Sequence, residues 1–122
     1  MIDLFDLIIS PENSLQSTLE QMTRNKKGLL FVCDRSQHLV GVISDGDIRR
    51  ALLNNALLIS SVGSYMNLDP ITARSIEEGA ESLGKTGYVA IPVIDEKGNV
   101  LAAVIQGKNQ PEVITQEISE PL

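Results

Sequence analysis

The sequence predicts an α+β fold made of two similar halves, and three observations lead there. An amphipathic stripe is written twice. Leu15, Leu19 and Met22 in "NSLQSTLEQM", and Ile76, Ala80 and Leu83 in "RSIEEGAESL", stand at i, i+4 and i+7, the spacing that gathers apolar side chains on one helix face. Each stripe leads into an apolar run that ends in aspartate, "GLLFVCD" to Asp34 and "YVAIPVID" to Asp95. Both features recur at an offset of 61 residues. Polar turns follow, "RSQH" and "EKGN", and then a second apolar run, "LVGVIS" and "VLAAVIQ". One extra turn residue in the second copy makes the offset 62 from there, so Gly41 corresponds to Ala103.

In chain order, "LII" reads as a short leading strand, followed by Pro11 and a helix opening near Asn13. Two strands come next, and then a helix from Asp45 to about Asn55. The second half starts with Pro70 and a short leading strand "ITA", followed by a helix opening near Ser75, with Gly84 and Gly87 at helix-ending positions. Two further strands follow. Each half is strand, helix, strand, strand, and the first adds a helix. Neither has enough helix to cover its own sheet, so the two are expected to pack as a pseudo-symmetric pair.

A chain of 122 residues is long enough to bury about two-thirds of its unfolded surface. Its composition, 43% hydrophobic and 21% charged, is that of a globular domain. Aromatics are 3%, so Ile, Val, Leu and Ala must build the core. The net charge of −6, with "RNKK" (Arg24 to Lys27) as the densest basic patch, argues against a nucleic-acid partner and against anionic lipid. Cys33 and His38 are the only residues of their kinds, which excludes an internal disulfide, a structural zinc site and a Ser-His-Asp or Cys-His catalytic set supported by further His or Cys. The start "MIDLFDLI" lacks a basic signal-peptide region, and no apolar run approaches the ~18 residues of a membrane span. A cytoplasmic protein with no membrane association is expected.

"GAESLGKT", Gly79 to Thr86, matches the phosphate-loop pattern G-x-x-x-x-G-K-[ST]. That loop belongs after a strand and before a helix, where backbone N–H groups hold phosphate. Here the match lies inside an amphipathic helix and a strand follows it. Lys85 therefore falls at a helix C-terminus, which repels anions.

"GVISDGDI", Gly41 to Ile48, allows two readings. Ser44 at an N-cap with Asp47 three residues on is a capping box, which explains the pair with nothing bound. Alternatively, Gly41 admits a close neighbour, the Ser44 hydroxyl and the helix N–H groups can donate to a phosphate, and Asp47 can accept hydrogen bonds from a ribose diol. Asp45 and Asp47 as a metal pair is a third reading, weaker than an acidic, dipole-favoured helix start.

With the repeat, "GVISDGDI" resembles the nucleotide signature of the tandem CBS-domain pair, or Bateman module: Gly, two apolar residues, Ser or Thr, two residues, Asp and an apolar residue. The resemblance spans about residues 7 to 107. It implies two β-α-β-β-α CBS repeats related by a pseudo-two-fold axis, here 1–57 with a short leader and 58–107, and then a tail or outgoing linker, 108–122. It implies an adenine nucleotide (AMP, ADP or ATP) as regulatory ligand and no required cofactor. Asp47 would bind ribose and Ser44 phosphate, beside Gly41. Adenine would lie against the other repeat near Ser64 and Val89. Lys27, with Lys26, would neutralise phosphate or simply form a solvated turn, and Arg49 and Arg50 are expected to face solvent or a partner subunit. In the second repeat the signature becomes Ala103, Gln106 and Asn109, and Pro111 interrupts the expected last helix, leaving it altered or missing and its site empty or altered. "SDGDIRRALL" resembles the pairs that accompany sugar-phosphate nucleotidyltransferases and isomerases. The resemblance therefore implies a non-catalytic regulatory module, as a fragment or a free-standing sensor, acting on an attached or partner sugar-phosphate enzyme through a homodimer. The alternative is a structural dimerisation module with no ligand.

Overall fold

The computed structural model describes residues 2–115. Its elements are β1 (Ile8–Ile9), α1 (Leu15–Asn25), β2 (Leu29–Cys33), β3 (Leu39–Ser44), α2 (Asp45–Leu53), α3 (Ile76–Thr86), β4 (Ala90–Ile94), β5 (Val100–Gln106) and β6 (Pro111–Thr115), with short 3₁₀ turns at Leu4–Leu7 and Val62–Ser64. They form two three-stranded sheets, β1-β2-β3 and β4-β5-β6. This is the α+β architecture expected from the repeat.

The helices start where the capping residues stand. The hydroxyls of Ser14 and Ser75 accept hydrogen bonds from the N–H groups of Ser17 and Glu78, each satisfying a donor that the first turn leaves unpaired. Both helices end on a left-handed residue, Lys26 (φ 60°) and Gly87 (φ 71°). Gly84 lies within α3 and does not end it, in contrast to the expectation for that glycine. β2 and β3 pair antiparallel with Phe31 opposite Val42, and β4 and β5 pair with Ile91 opposite Val104. Both hairpins carry a register shift next to the strand-ending turn, at Val32/Cys33 and Val93/Ile94, so the repeat extends to the irregularities.

The halves meet through their equivalent parts. His38 and Asn99, 61 positions apart, bridge to each other, and Leu39 N–H donates to the Gly98 carbonyl. One core cluster draws Leu4, Leu7, Leu29, Phe31 and Val42 from the first half and Ala90, Ala103 and Ile105 from the second. Two further clusters lie under the helices, one with Leu15, Leu30 and Ile48, the other with Leu83, Ile91 and Val104.

Two differences separate the halves. The leading strand of the second is reduced to one bridge, Ala73 to Val93 in parallel, where the first has β1 paired with β2. In place of a second closing helix, Pro111–Thr115 forms β6, antiparallel to β5 with Ala103 opposite Ile114. Proline stands at the first residue of this strand, a position that needs no ladder donor. Part of the segment read as a tail is thus a sheet strand, and residues 116–122 lie outside the described residues.

Candidate functional site

The end of β3 and the start of α2 form one turn. Ser44 is extended (φ −110°, ψ 165°) and caps α2 with both bonds of a capping box. Its Oγ accepts from Asp47 N–H at 3.1 Å, and its own N–H donates to Asp47 Oδ2 at 2.9 Å. Arg50 Nη2 donates to Asp47 Oδ1 at 2.6 Å. The backbone before β2 closes on the same turn: Gly28 is left-handed (φ 67°), and its carbonyl accepts from Asp45 N–H at 3.0 Å. Any Cβ on Gly28 would face the Asp45 carboxylate at 3.4 Å, so the two segments lie side by side.

Above this turn is a cleft of about 490 Å³ between the halves, lined by Lys27, Gly28 and Leu29, by Val42, Ser44, Asp45, Asp47 and Arg50, and by Asn67, Tyr88 and Val89 from the second half and its approach. The cleft brings together Lys27, Ser44, Asp47 and Val89, drawn from three separate parts of the sequence. It has a donor set for an anion (Ser44 hydroxyl, Lys27, Arg50 and the helix start), a carboxylate acceptor in Asp47, and one wall made by Val42, Tyr88 and Val89. A flat, partly apolar group on that wall and a charged group at the turn suit it together.

Gly41 and Ser64 lie elsewhere. A Cβ on Gly41 would come within 2.7 Å of the Asn67 carbonyl oxygen and 2.8 Å of Met66 Sδ. The close neighbour that Gly41 admits is the chain's own linker, held by a two-bond bridge between Val42 and Asn67. Ser64 ends the 3₁₀ turn Val62–Ser64 and is not among the cleft's lining residues. Sequence reasoning missed Arg50, Tyr88 and Asn67. Arg50 was legible in principle, because it stands one helical turn after Asp47 on the same face.

The other features resolve simply. The phosphate-loop match sits within α3, and Lys85 donates to Glu81 at 2.7 Å on the exposed surface. That hydrogen bond, with the lysine's charge, holds the Glu81 carboxyl below its usual range. Cys33 is buried, and desolvation pushes its thiol up to about 11. Among the described residues no three His, Cys, Asp or Glu side chains gather to hold a metal, and no helix is long and apolar enough to cross a membrane.

Residues 5–54 match the model of the CBS domain. The first half of this chain carries a CBS domain. Among solved structures, CBSX2 in complex with AMP is 27% identical, with a TM-score of 0.70, covering 88% of this chain and 87% of CBSX2. A CBS-domain protein of Pyrobaculum aerophilum complexed with AMP shares the fold at 19% identity and a TM-score of 0.67, covering 81% of this chain and 79% of that one. Among curated proteins, the arabinose 5-phosphate isomerase GutQ of Escherichia coli is 33% identical over 94 residues, 75% of this chain and 29% of that protein. The CBS-domain chain thus spans under a third of the length of this curated relative.

Proposed function

We propose that this CBS-domain chain is a regulatory module that binds one adenine nucleotide in the cleft over Ser44 and Asp47, between repeats 1–57 and 58–107. The observation that carries the reading is the convergence of Ser44, Asp47 and Lys27 from the first half with Val89 from the second on one cleft of about 490 Å³. The AMP complexes of CBSX2 and the Pyrobaculum protein support the ligand class. Asp47 takes the ribose hydroxyls, Ser44 and Lys27 meet phosphate, and adenine lies toward Val89. Gly41 serves the site indirectly, by letting the Met66–Asn67 segment come close enough for Asn67 to line it.

Binding a ligand across two halves favours the arrangement that makes the better cleft, and that differential affinity is what a regulatory module transmits. The likeness to GutQ supports a sugar-phosphate enzyme, attached or separate, as the receiver. The chain is proposed to act as a cytoplasmic homodimer and to do no chemistry itself. Calorimetric titration with AMP, ADP, ATP and S-adenosylmethionine tests this. Micromolar binding with one site per chain is expected, and no heat with any of the four would overturn it.

A second reading, a dimerisation module that binds nothing, is favoured by the exposed apolar residues Leu53, at the end of α2, and Leu57, Leu58 and Ile59, which follow it. It predicts a concentration-independent dimer indifferent to every nucleotide.

A further inference from the structure

The two oxygens of Asp47 are not equivalent. Oδ2 is committed to the Ser44 N–H and cannot be released without undoing the cap of α2. Oδ1 is the oxygen left for a ligand hydroxyl, and Arg50 Nη2 sits on it at 2.6 Å. The Arg50 side chain is 68% exposed and that of Asp47 24%, so the pair is held from the solvent side by a long, mobile arm. Exposed pairs of this kind contribute little to stability and exchange readily.

The guanidinium is also placed for a second partner. A Cβ imagined on Gly46 would lie 3.4 Å from Arg50 Nη1, 3.8 Å from Nη2 and 3.7 Å from Ser44 Oγ. The guanidinium fork thus lies over Gly46, with the serine hydroxyl beside it. It lies over the first turn of α2, where the helix dipole favours an anion. A phosphate there meets a planar fork that binds two of its oxygens at once, a stronger contact than a single exposed carboxylate oxygen provides.

We infer that Arg50 is a latch that exchanges partners: in the empty cleft it pairs with Asp47, and a nucleoside 5′-phosphate draws it onto the phosphate while Asp47 Oδ1 passes to the ribose. The inference rests on the adenine-nucleotide reading and adds to it a residue and a ligand requirement, the 5′-phosphate. A nucleoside without phosphate must displace Arg50 from Asp47 and offers it nothing in return. The phosphorylated form supplies the replacement partner. Arg50 is therefore the residue that makes the site prefer a nucleotide to a nucleoside.

Calorimetric titration of the wild-type chain, Arg50→Gln and Arg50→Lys with AMP and with adenosine tests this, with thermal unfolding of each variant as the check on folding. Arg50→Gln is expected to weaken AMP by about tenfold, the size of one charge-assisted hydrogen bond, while adenosine binds as before or more tightly. Arg50→Lys is expected to restore part of the AMP affinity, since it keeps the charge and loses the fork. If AMP and adenosine change by the same factor in Arg50→Gln, or neither changes, Arg50 is only a surface partner of Asp47 and the latch is overturned while the nucleotide reading stands. If the wild-type chain binds neither ligand, the nucleotide reading fails and the latch with it.

Discussion

The two halves of the molecule run the same plan and finish it differently. Through β2–β3 and β4–β5 they agree down to the register shift beside the strand-ending turn. After that, the first half turns at Ser44 into α2, and the second turns at Gly107 into β6. The helix start offers Ser44, Asp47 and Arg50 to the cleft. The hairpin start offers none of these: Gln106 and Asn109 stand at the corresponding positions, and β6 is paired to β5 over its whole length. The second half is then free to supply a wall, Tyr88 and Val89, to the site of the first. One copy of a duplicated plan holds the polar groups and the other shapes the space around them.

The largest expected effect breaks that comparison at its centre. Asp47→Ala is expected to weaken AMP by about a hundredfold, since it removes the Oδ1 acceptor for the ribose and also undoes the cap that holds Ser44 at the start of α2. Asn109→Ala, at the corresponding place in the second half, is expected to leave affinity within about twofold, a change too small to reflect a lost direct contact. Comparable losses in both would make the halves functional equals. Next is Gly41→Ala, which writes into the first half the residue the second carries at Ala103. The new Cβ would meet the Asn67 carbonyl oxygen at 2.7 Å, so the Val42–Asn67 bridge must open. A loss of about 2 kcal/mol in urea unfolding is expected, with weaker AMP binding as the rim moves.

A smaller effect is expected at α3. Gly79 lies against β5, and a Cβ there would sit 2.8 Å from Val104 Cγ2, a branched methyl in the core. In the first half the equivalent position is Thr18, fully buried, so only the second helix packs this closely. Gly79→Ala is expected to cost about 1 kcal/mol net, overpacking outweighing the gain in helix propensity. Gly79→Ala that stabilises the chain would show that α3 is no closer to its sheet than α1.

The smallest effect is on pH. Asp95 follows β4 and accepts from Asn99 N–H at 2.9 Å, from Asn99 Nδ2 at 3.0 Å and from Lys97 N–H at 2.9 Å. The backbone and side-chain bonds from Asn99 hold its carboxyl below the usual range. A carboxyl lowered by folding adds stability above its unfolded pKa, and that contribution disappears as pH falls through the lower, folded value. Asp95→Asn should therefore flatten the acid limb of the unfolding profile and leave the neutral-pH slope unchanged.

Much of the fold was legible because it rests on local, repeated signals. The i, i+4, i+7 stripes, the capping serines and the apolar runs each specify one element, and recurrence at one offset specified their order. β6 was not legible. "PEVIT" is a short run opened by proline, with Glu112 and Val113 exposed, and only pairing with β5 makes it a strand. The second leading strand was overestimated for the same reason: a single bridge has no pattern of its own. At the site, Ser44 and Asp47 were legible because capping box and ligand grip use the same residues. Gly41 was rightly read as a place of close approach, but the sequence carries no sign that Met66 and Asn67 are what approaches. Arg50 does face solvent, as read, with its side chain 68% exposed; its ion pair with Asp47 was not read because it depends on a side-chain direction that sequence spacing allows and does not impose.

The most direct test of the central claim, that the helix-ended half grips a nucleotide and the strand-ended half does not, is a titration of the isotope-labelled chain with AMP, followed by amide chemical shifts. Saturable shifts at one site are expected, concentrated at Lys27–Leu29, Ser44–Arg50, Asn67 and Tyr88–Val89. Shifts centred on Gln106–Glu112, or none at AMP concentrations up to the millimolar range, would contradict it.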